Sequence, residues 1–219
     1  MATRLVLGEL VAAFQQHSDC KVAIESVGGV DAARRVQDGE AFDVVILASD
    51  AIDRLIATGN VPADSRVDLV RSGVAVAVRA AAPRPDISTE DALREAVRTA
   101  RSISYSTGPS GVALARLFDR WGIADDIKNR IVVPPPGMPV GTLVASGKVE
   151  LGFQQLSELM HLEGITVLGA LPPAIQIVTT FSAALCAGSQ HGEAVRALLD
   201  YLNSAEAAAV KRRHGMEPA

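Results

Sequence analysis

Short, almost wholly apolar runs alternate with helical patterns along the first 80 residues. The run 42–47 is apolar apart from Asp43, and the run 74–78 contains no polar residue. Runs of this kind are typical of parallel strands whose two faces are both covered. Helical patterns lie between them, and a further strand is predicted at 21–27. The alternation predicts an α/β fold.

Two apolar stretches predict where the chain passes between two lobes. The strand 74–78 leads into a Pro-rich turn at 82–86, and the β-rich run 174–184 is long enough to lead back. The chain is therefore expected to form two lobes, one of them discontinuous. The predicted boundaries are 1–76 with 180–219 for lobe I and 77–179 for lobe II.

Composition excludes several classes of partner. The chain has 219 residues, of which 48% are hydrophobic, and it carries a formal charge of −4 with a pI near 5.6. The 21 basic residues are scattered rather than clustered, which argues against nucleic acid and acidic membranes as partners. No run is long enough to span a bilayer, so direct membrane insertion is not expected.

The first residues predict a helix and contain no export signal. Leu7, Leu10, Val11 and Phe14 fall at helical spacing, whereas an α/β fold usually opens with a strand. The basic, apolar and small-residue order of a secretory signal is absent. We therefore expect a leading segment of the fold to be missing from this sequence.

The segment after a short strand at 103–105 predicts a cradle for a small anion. Gly108 suits a tight turn, and Pro109 suits the first position of a helix. The N–H groups of Ser110, Gly111 and Val112 are then expected to point out of the helix N-terminus.

Three hydroxyls, those of Ser106, Thr107 and Ser110, accompany these predicted donors. The glycines beside them are expected to let a ligand approach closely, because glycine has no Cβ atom. A simpler alternative stays open, in which Ser106 or Thr107 only caps the helix.

Motifs for catalysis and for metal binding are not found. The segment 108–111 fails as a nucleophile elbow, and the segment 141–148 fails as a phosphate loop because Val149 follows its lysine. The four histidines stand singly, and Cys20 and Cys186 lack metal-ligand spacing. No catalytic residue, metal ligand or cofactor is predicted, and free thiols are favoured over a disulfide.

Three segments carry a resemblance to a known family: Gly-Pro-Ser-Gly at 108–111, Gly-Lys-Val-Glu-Leu-Gly-Phe-Gln-Gln at 147–155 and Arg-His-Gly-Met-Glu-Pro at 213–218. With the order of elements, they resemble the molybdate-type periplasmic solute-binding proteins. The resemblance implies a type 2 periplasmic-binding fold, in which two hinge strands join two lobes that each hold a mostly parallel sheet flanked by helices. It also implies an anion bound between the lobes by helix N-termini and hydroxyls.

The same resemblance implies which residues bind the ligand. Ser110 and Gly111 match the start of the family's binding helix. Gly28 and Gly29 stand where molybdate binders place serines, and Gln155 stands where they place a tyrosine. These departures suit a carboxylate, and the expected ligand is a small anion, either a tetrahedral oxyanion or a small carboxylate.

A bidentate contact to such a carboxylate is also conceivable near the predicted hinge. Arg71, next to Ser72, could supply it, although a surface arginine is the plainer interpretation.

The resemblance implies a substrate-binding component of an ABC transporter. Its partners would be a small anionic ligand and a membrane permease, and it would act as a monomer in the periplasm, or in the cytoplasm if Met1 is the true start. An enzymatic alternative comes from relatives described as aconitate isomerases, which move a double bond in a tricarboxylate by proton transfer. A carboxylate, a histidine or a tyrosine in the cleft, such as Tyr105, would then move the proton.

Overall fold

The computed structural model describes residues 1–135 and 137–219. The chain divides into two units, Met1–Ser72 with Thr179–Ala219 (unit 1) and Gly73–Val178 (unit 2). Helices and strands alternate along it, which confirms the predicted α/β class.

The helices are α1 (Arg4–Gln16), α2 (Gly29–Gln37), α3 (Ser49–Ala57), α4 (Glu90–Thr99), α5 (Pro109–Arg120), α6 (Ala124–Ile127), α7 (Val140–Ala145), α8 (Leu156–Leu159), α9 (Gly192–Leu202) and α10 (Ala205–Arg213). The strands are β1 (Val44–Ala48), β2 (Val67–Arg79), β3 (Ile103–Tyr105), β4 (Leu151–Gln155), β5 (Ile165–Ala170), β6 (Val178–Leu185) and β7 (Glu217–Pro218).

Unit 1 packs helices on a sheet that contains β1, β6, β7 and the first half of β2. Helix α9 buries an apolar stripe at i, i+3, i+4 and i+7. Helix α10 begins at Ser204, whose Oγ accepts a hydrogen bond from the N–H of Ala207 at 3.1 Å. The stripe of α9 consists of Val195, Leu198, Leu199 and Leu202.

Unit 2 is built on the second half of β2, which pairs with β4 and β5, while β3 pairs with β4. The segment 74–78 is fully buried because both of its faces are covered. Val74, Val76 and Val78 face the core formed with α4 and α5, and the alanines between them face Leu159 of α8. Burying each valine contributes about 1.5–3 kcal/mol.

The predicted parallel character of the sheets needs correction. Strands β3 and β4 are parallel, but β1 pairs antiparallel with β6, and β2 pairs antiparallel with β4, β5 and β7. Cover on both faces makes a strand apolar whatever the direction of its neighbours. The apolar runs therefore indicate that a strand is buried, and they do not indicate whether its neighbours are parallel or antiparallel.

The prediction of a strand at 21–27 is wrong as well. Within the described chain these residues form no β-strand pairing, and most of them are exposed. The N–H of Val22 donates instead to Oε1 of Gln15 at 2.8 Å. A β-strand needs a neighbouring strand, and here a nearby side chain accepts the hydrogen bond of the backbone N–H instead.

The two cysteines, Cys20 and Cys186, are free thiols, as favoured from the sequence.

Candidate functional site

The candidate site lies where β3 and β4 of unit 2 end. The two strands are parallel neighbours, with Tyr105 opposite Phe153. Because parallel strands end at the same edge of a sheet, the residues that follow them emerge close together. We call residues 106–111 and 155–158 the carboxyl edge. Ligands of open α/β sheets bind at edges of this kind.

Helix α5 presents backbone donors at the carboxyl edge. Pro109 is its first residue, as the sequence predicted, and Gly108 is its N-cap. The N–H groups of Thr107, Gly108 and Ser110 have no hydrogen-bond partner within residues 1–135 and 137–219. Unpaired amides at the start of a 12-residue helix carry partial positive charge, so they favour a bound anion.

Two of the donors predicted from the sequence are occupied. The N–H groups of Gly111 and Val112 both donate to the carbonyl oxygen of Gly108, at 3.0 and 3.1 Å. Val112 is the fourth residue of α5, so its bond is the first regular one of the helix. The prediction that Gly111 and Val112 offer free N–H groups is therefore wrong, whereas the N–H of Ser110 is unpaired as predicted.

The hydroxyls of the segment do not cap α5. Ser106 Oγ and Ser110 Oγ lie 3.0 Å apart and form a hydrogen bond with each other, and no side chain caps the helix. Ser110 is buried, whereas Thr107 is exposed. The alternative in which Ser106 or Thr107 serves only as a cap is therefore not what the structure shows.

Gly111 is required by the chain itself. A Cβ atom at this position would lie 1.6 Å from the carbonyl oxygen of Ser106 and 3.2 Å from the ring of Tyr105. At Gly108, by contrast, the nearest atom would be Ser106 Oγ at 4.0 Å. We expected both glycines to leave room for a ligand. For Gly111 this expectation is wrong, because the space beside its Cα atom is filled by the backbone of Ser106.

At the end of β4, two glutamines face opposite sides of the sheet. Gln154 is held on the side of α7 and α8: its Oε1 accepts from the N–H of Gly141 at 3.3 Å, and its Nε2 donates to Oε2 of Glu158 at 2.8 Å. Gln155 is also buried and lies opposite Val74 of β2. A ligand contact by Gln155 stays a prediction.

The residues after Gln155 were missed by the sequence reasoning. Ser157 is 5% exposed, and its hydroxyl has no hydrogen-bond partner in the part of the chain that the structure describes. Burial raises the pKa of the Glu158 carboxyl above its ordinary value. Their position directly after a strand parallel to β3 was the available signal.

Tyr105 is less suited to proton transfer than the sequence suggested. Its ring packs edge-on against Phe118 of α5, with centroids 5.8 Å apart. Burial, followed by the negative charge of Asp119, raises the pKa of its hydroxyl. Asp119 belongs to the second half of α5. A role of Tyr105 in proton transfer stays a prediction.

In unit 1, Gly28 and Gly29 begin helix α2 as its N-cap and first residue. A Cβ atom at Gly28 would lie 3.6 Å from Oδ2 of Asp31, and one at Gly29 would lie 3.9 Å from Leu47. Neither glycine is required by crowding. Their role in ligand binding stays a prediction.

Arg71 and Ser72 lie on β2 at the end of unit 1. The Arg71 side chain is exposed, and its Nη2 donates to the carbonyl oxygen of Pro218 at 3.1 Å. Ser72 is 1% exposed. The hydrogen bond to Pro218 indicates a structural role for Arg71. A ligand contact by Arg71 or Ser72 stays a prediction.

The chain was compared with known proteins. The family model described as bacterial extracellular solute-binding protein matches residues 1–217. The chain belongs to this family. A curated aconitate isomerase from Pseudomonas sp. is 42% identical to it, over 96% of this chain and 82% of the relative.

Solved structures of solute-binding proteins share the fold. The periplasmic molybdate-binding protein of Azotobacter vinelandii superposes with a TM-score of 0.81 at 19% identity, covering 98% of this chain and 95% of that one. The substrate-binding domain of a putative molybdenum ABC transporter from Clostridium difficile gives a TM-score of 0.77 at 15% identity, covering 100% and 95%. The predicted type 2 periplasmic-binding fold is thereby confirmed.

Within residues 1–135 and 137–219, no helix has the length and apolar character that crossing a membrane requires. The same residues contain no group of three His, Cys, Asp or Glu side chains placed to hold a metal ion.

Proposed function

We propose that this solute-binding protein binds a small organic carboxylate at the carboxyl edge and delivers it to a membrane transporter. The observation that carries the proposal is the set of unpaired N–H groups at Thr107, Gly108 and Ser110. Three amides at one helix start can hold two carboxylate oxygens, and the helix dipole favours the negative charge.

The electrostatics of the edge support an anion held without a counter-cation. Residues 106–111 and 155–158 contain no Lys or Arg, and the first turn of α5 contains no acidic residue. No acidic residue in the first turn of α5 therefore neutralises the partial positive charge at the helix start.

Two observations favour a carboxylate over a metal oxyanion. Val112, in the first turn of α5, is 50% exposed, so an apolar side chain lies near the free amides. Such a side chain suits the hydrocarbon part of an organic acid better than a hydrated oxyanion. The relative at 42% identity is named for aconitate, whereas the molybdate-binding structures are only 15–19% identical.

Family membership supports the transport role. The family is described as extracellular and solute-binding, so the proposal includes a permease as partner, the periplasm as location and a monomer as the working form. Ligand contacts by Gly28, Gly29, Arg71, Ser72 and Gln155 stay predictions.

A second candidate function is isomerisation of a tricarboxylate of the aconitate type. It is favoured by the aconitate isomerase that shares 42% identity over 96% of this chain. In this case the same edge would bind the substrate, and a nearby acid–base group would move a proton.

The experiment that tests binding is a melting-temperature series with cis-aconitate, trans-aconitate, citrate, molybdate and sulfate. A carboxylate at 100 times its Kd stabilises the native state by about 2.7 kcal/mol, a rise of about 5–10 °C for a chain of this size. Ser110→Ala should reduce that rise, because it leaves Ser106 without its partner. A rise with molybdate alone would refute the carboxylate, and no rise with any anion would refute the site.

A further inference from the structure

We propose that Glu158 is the group that removes and returns the proton when the protein isomerises an aconitate-type tricarboxylate. This inference rests on the second proposed function and names the residue on which that reaction would depend.

Glu158 is placed by the same topology as the anion donors. It lies three residues after the end of β4, and β4 runs parallel to β3, whose end leads into Thr107, Gly108 and Ser110. A carboxylate bound by those amides therefore lies at the edge from which Glu158 also emerges. Glu158 is the only Asp or Glu in residues 106–111 and 155–158.

The surroundings of Glu158 hold it in one orientation. Oε2 accepts a hydrogen bond from Nε2 of Gln154 at 2.8 Å, and Gln154 is itself fixed by the N–H of Gly141 at 3.3 Å. This bond uses Oε2 of the carboxylate. Burial raises the pKa of the carboxyl, so a proton that it accepts is held more firmly than by an exposed glutamate.

The neighbouring Ser157 supplies an independent sign of a ligand. Its hydroxyl is buried and lacks a hydrogen-bond partner in the described residues. A buried hydroxyl without a partner destabilises the native state, and such groups are rare in native proteins. An oxygen of a bound polycarboxylate would accept its hydrogen bond beside Glu158.

The proposed step is balanced without a co-reactant. Glu158 takes a proton from the methylene carbon of the tricarboxylate, and the freed electron pair forms a new double bond to the central carbon. The electrons of the former double bond then take up a proton at the former vinyl carbon. Glu158 returns that proton, so that it ends in its initial state. No atom or electron is gained or lost.

The test follows aconitate by proton NMR in deuterated water with four proteins: wild type, Glu158→Gln, Glu158→Asp and Glu163→Gln. Glu163 is an exposed glutamate five residues further on and serves as the matched control. Removing an acid–base group should lower kcat about 100-fold or more, so Glu158→Gln should lose both interconversion and deuterium uptake. Glu158→Asp should retain part of the activity, and Glu163→Gln should behave as wild type.

The rise in melting temperature with trans-aconitate is measured on the same samples and should persist in Glu158→Gln. Full turnover by Glu158→Gln would overturn the role of Glu158 and leave isomerisation standing. Loss of the melting-temperature rise together with turnover would assign Glu158 to binding or structure and overturn the proposal. A wild type that binds aconitate without converting it would refute both isomerisation and this role. If Glu158→Gln does not fold, Glu158→Asp decides by the same two readouts.

Discussion

Helices α2 and α5 both begin after a glycine N-cap, yet they offer an anion different surroundings. The first turn of α2 contains Asp31, which forms an ion pair with Arg34 at 3.0 Å. The first turn of α5 contains no acidic residue, and the N–H groups of Gly108 and Ser110 are unpaired in the described part of the chain. A helix dipole is therefore not sufficient for an anion site, because a carboxylate of the helix itself can already occupy its positive end.

The glycines at the two helix starts differ as well. Gly111 of α5 is required by a backbone contact, whereas Gly28 and Gly29 of α2 have space around them. Crowding fixes the geometry of the α5 start, and the α2 start could accept side chains. The comparison predicts that substitutions at the two helices have unequal effects.

The largest effect is expected from Gly111→Ala. The added Cβ would meet the carbonyl oxygen of Ser106 at 1.6 Å, so the loop before α5 must shift. Overpacking of this severity should lower the free energy of unfolding by about 3 kcal/mol, measured by urea unfolding. Gly29→Ala is the matched control and should change it by less than about 0.5 kcal/mol. Equal stabilities of the two variants would break the comparison.

Val112→Asp should make the start of α5 resemble that of α2. Val112 is 50% exposed, and an acid in the first turn should stabilise the helix slightly while repelling a bound anion. The Kd for trans-aconitate, measured by titration calorimetry, should rise about tenfold, which corresponds to 1.4 kcal/mol. Val133→Asp, at an exposed valine outside α5, introduces the same charge and should leave that Kd unchanged. Unaltered affinity in Val112→Asp would show that the anion lies elsewhere.

Glu158, the half-buried acid of the carboxyl edge, should appear in the pH dependence of stability. The pKa of Glu158 is raised in the folded state by burial, so the native protein holds this proton more tightly than the unfolded chain. Its contribution to the free energy of unfolding is therefore largest below its unfolded pKa and declines as the pH rises towards the folded pKa.

Urea midpoints at several pH values check this prediction. The difference between wild type and Glu158→Gln should show the decline, because glutamine does not titrate. The difference between wild type and Glu163→Gln should be flat. A flat difference for Glu158→Gln as well would mean that the carboxyl is solvated in the native protein.

Arg71→Ala is expected to have the smallest effect. The side chain is exposed and makes one hydrogen bond, to the carbonyl oxygen of Pro218. Its loss should cost about 1 kcal/mol or less in urea unfolding. If Arg71 also binds the carboxylate, the Kd for trans-aconitate rises about tenfold or more. Calorimetry therefore separates the structural contact from the predicted ligand contact.

Local signals made the start of α5 predictable from sequence. Gly108 and Pro109 set the boundary, and Pro109 is the first helical residue, as the sequence predicted. Of the three donors predicted to be free, only the N–H of Ser110 is unpaired in the described residues, because the N–H groups of Gly111 and Val112 both donate to the carbonyl oxygen of Gly108. The conformational preferences of Gly108 and Pro109 determine where the helix begins. Which N–H groups stay unpaired depends instead on the hydrogen bonds that form in the first helical turn.

Long-range features were not predictable in the same way. The strand expected at 21–27 depended on a neighbouring strand that no local pattern specifies. The reason for Gly111 is a contact with the backbone of Ser106, and the burial of Glu158 follows from packing beside Gln154. Each of these depends on which segments the fold brings together, and a single sequence does not specify that.

The most direct test of the carboxyl edge is an amide NMR titration of the protein with trans-aconitate. An anion bound by the start of α5 should produce the largest shifts at the N–H groups of Thr107, Gly108 and Ser110, because hydrogen bonding to a carboxylate deshields the donor. The amides of Val30 and Asp31 should move little. Shifts confined to α2 at saturation, with residues 107–110 unchanged, would contradict the account.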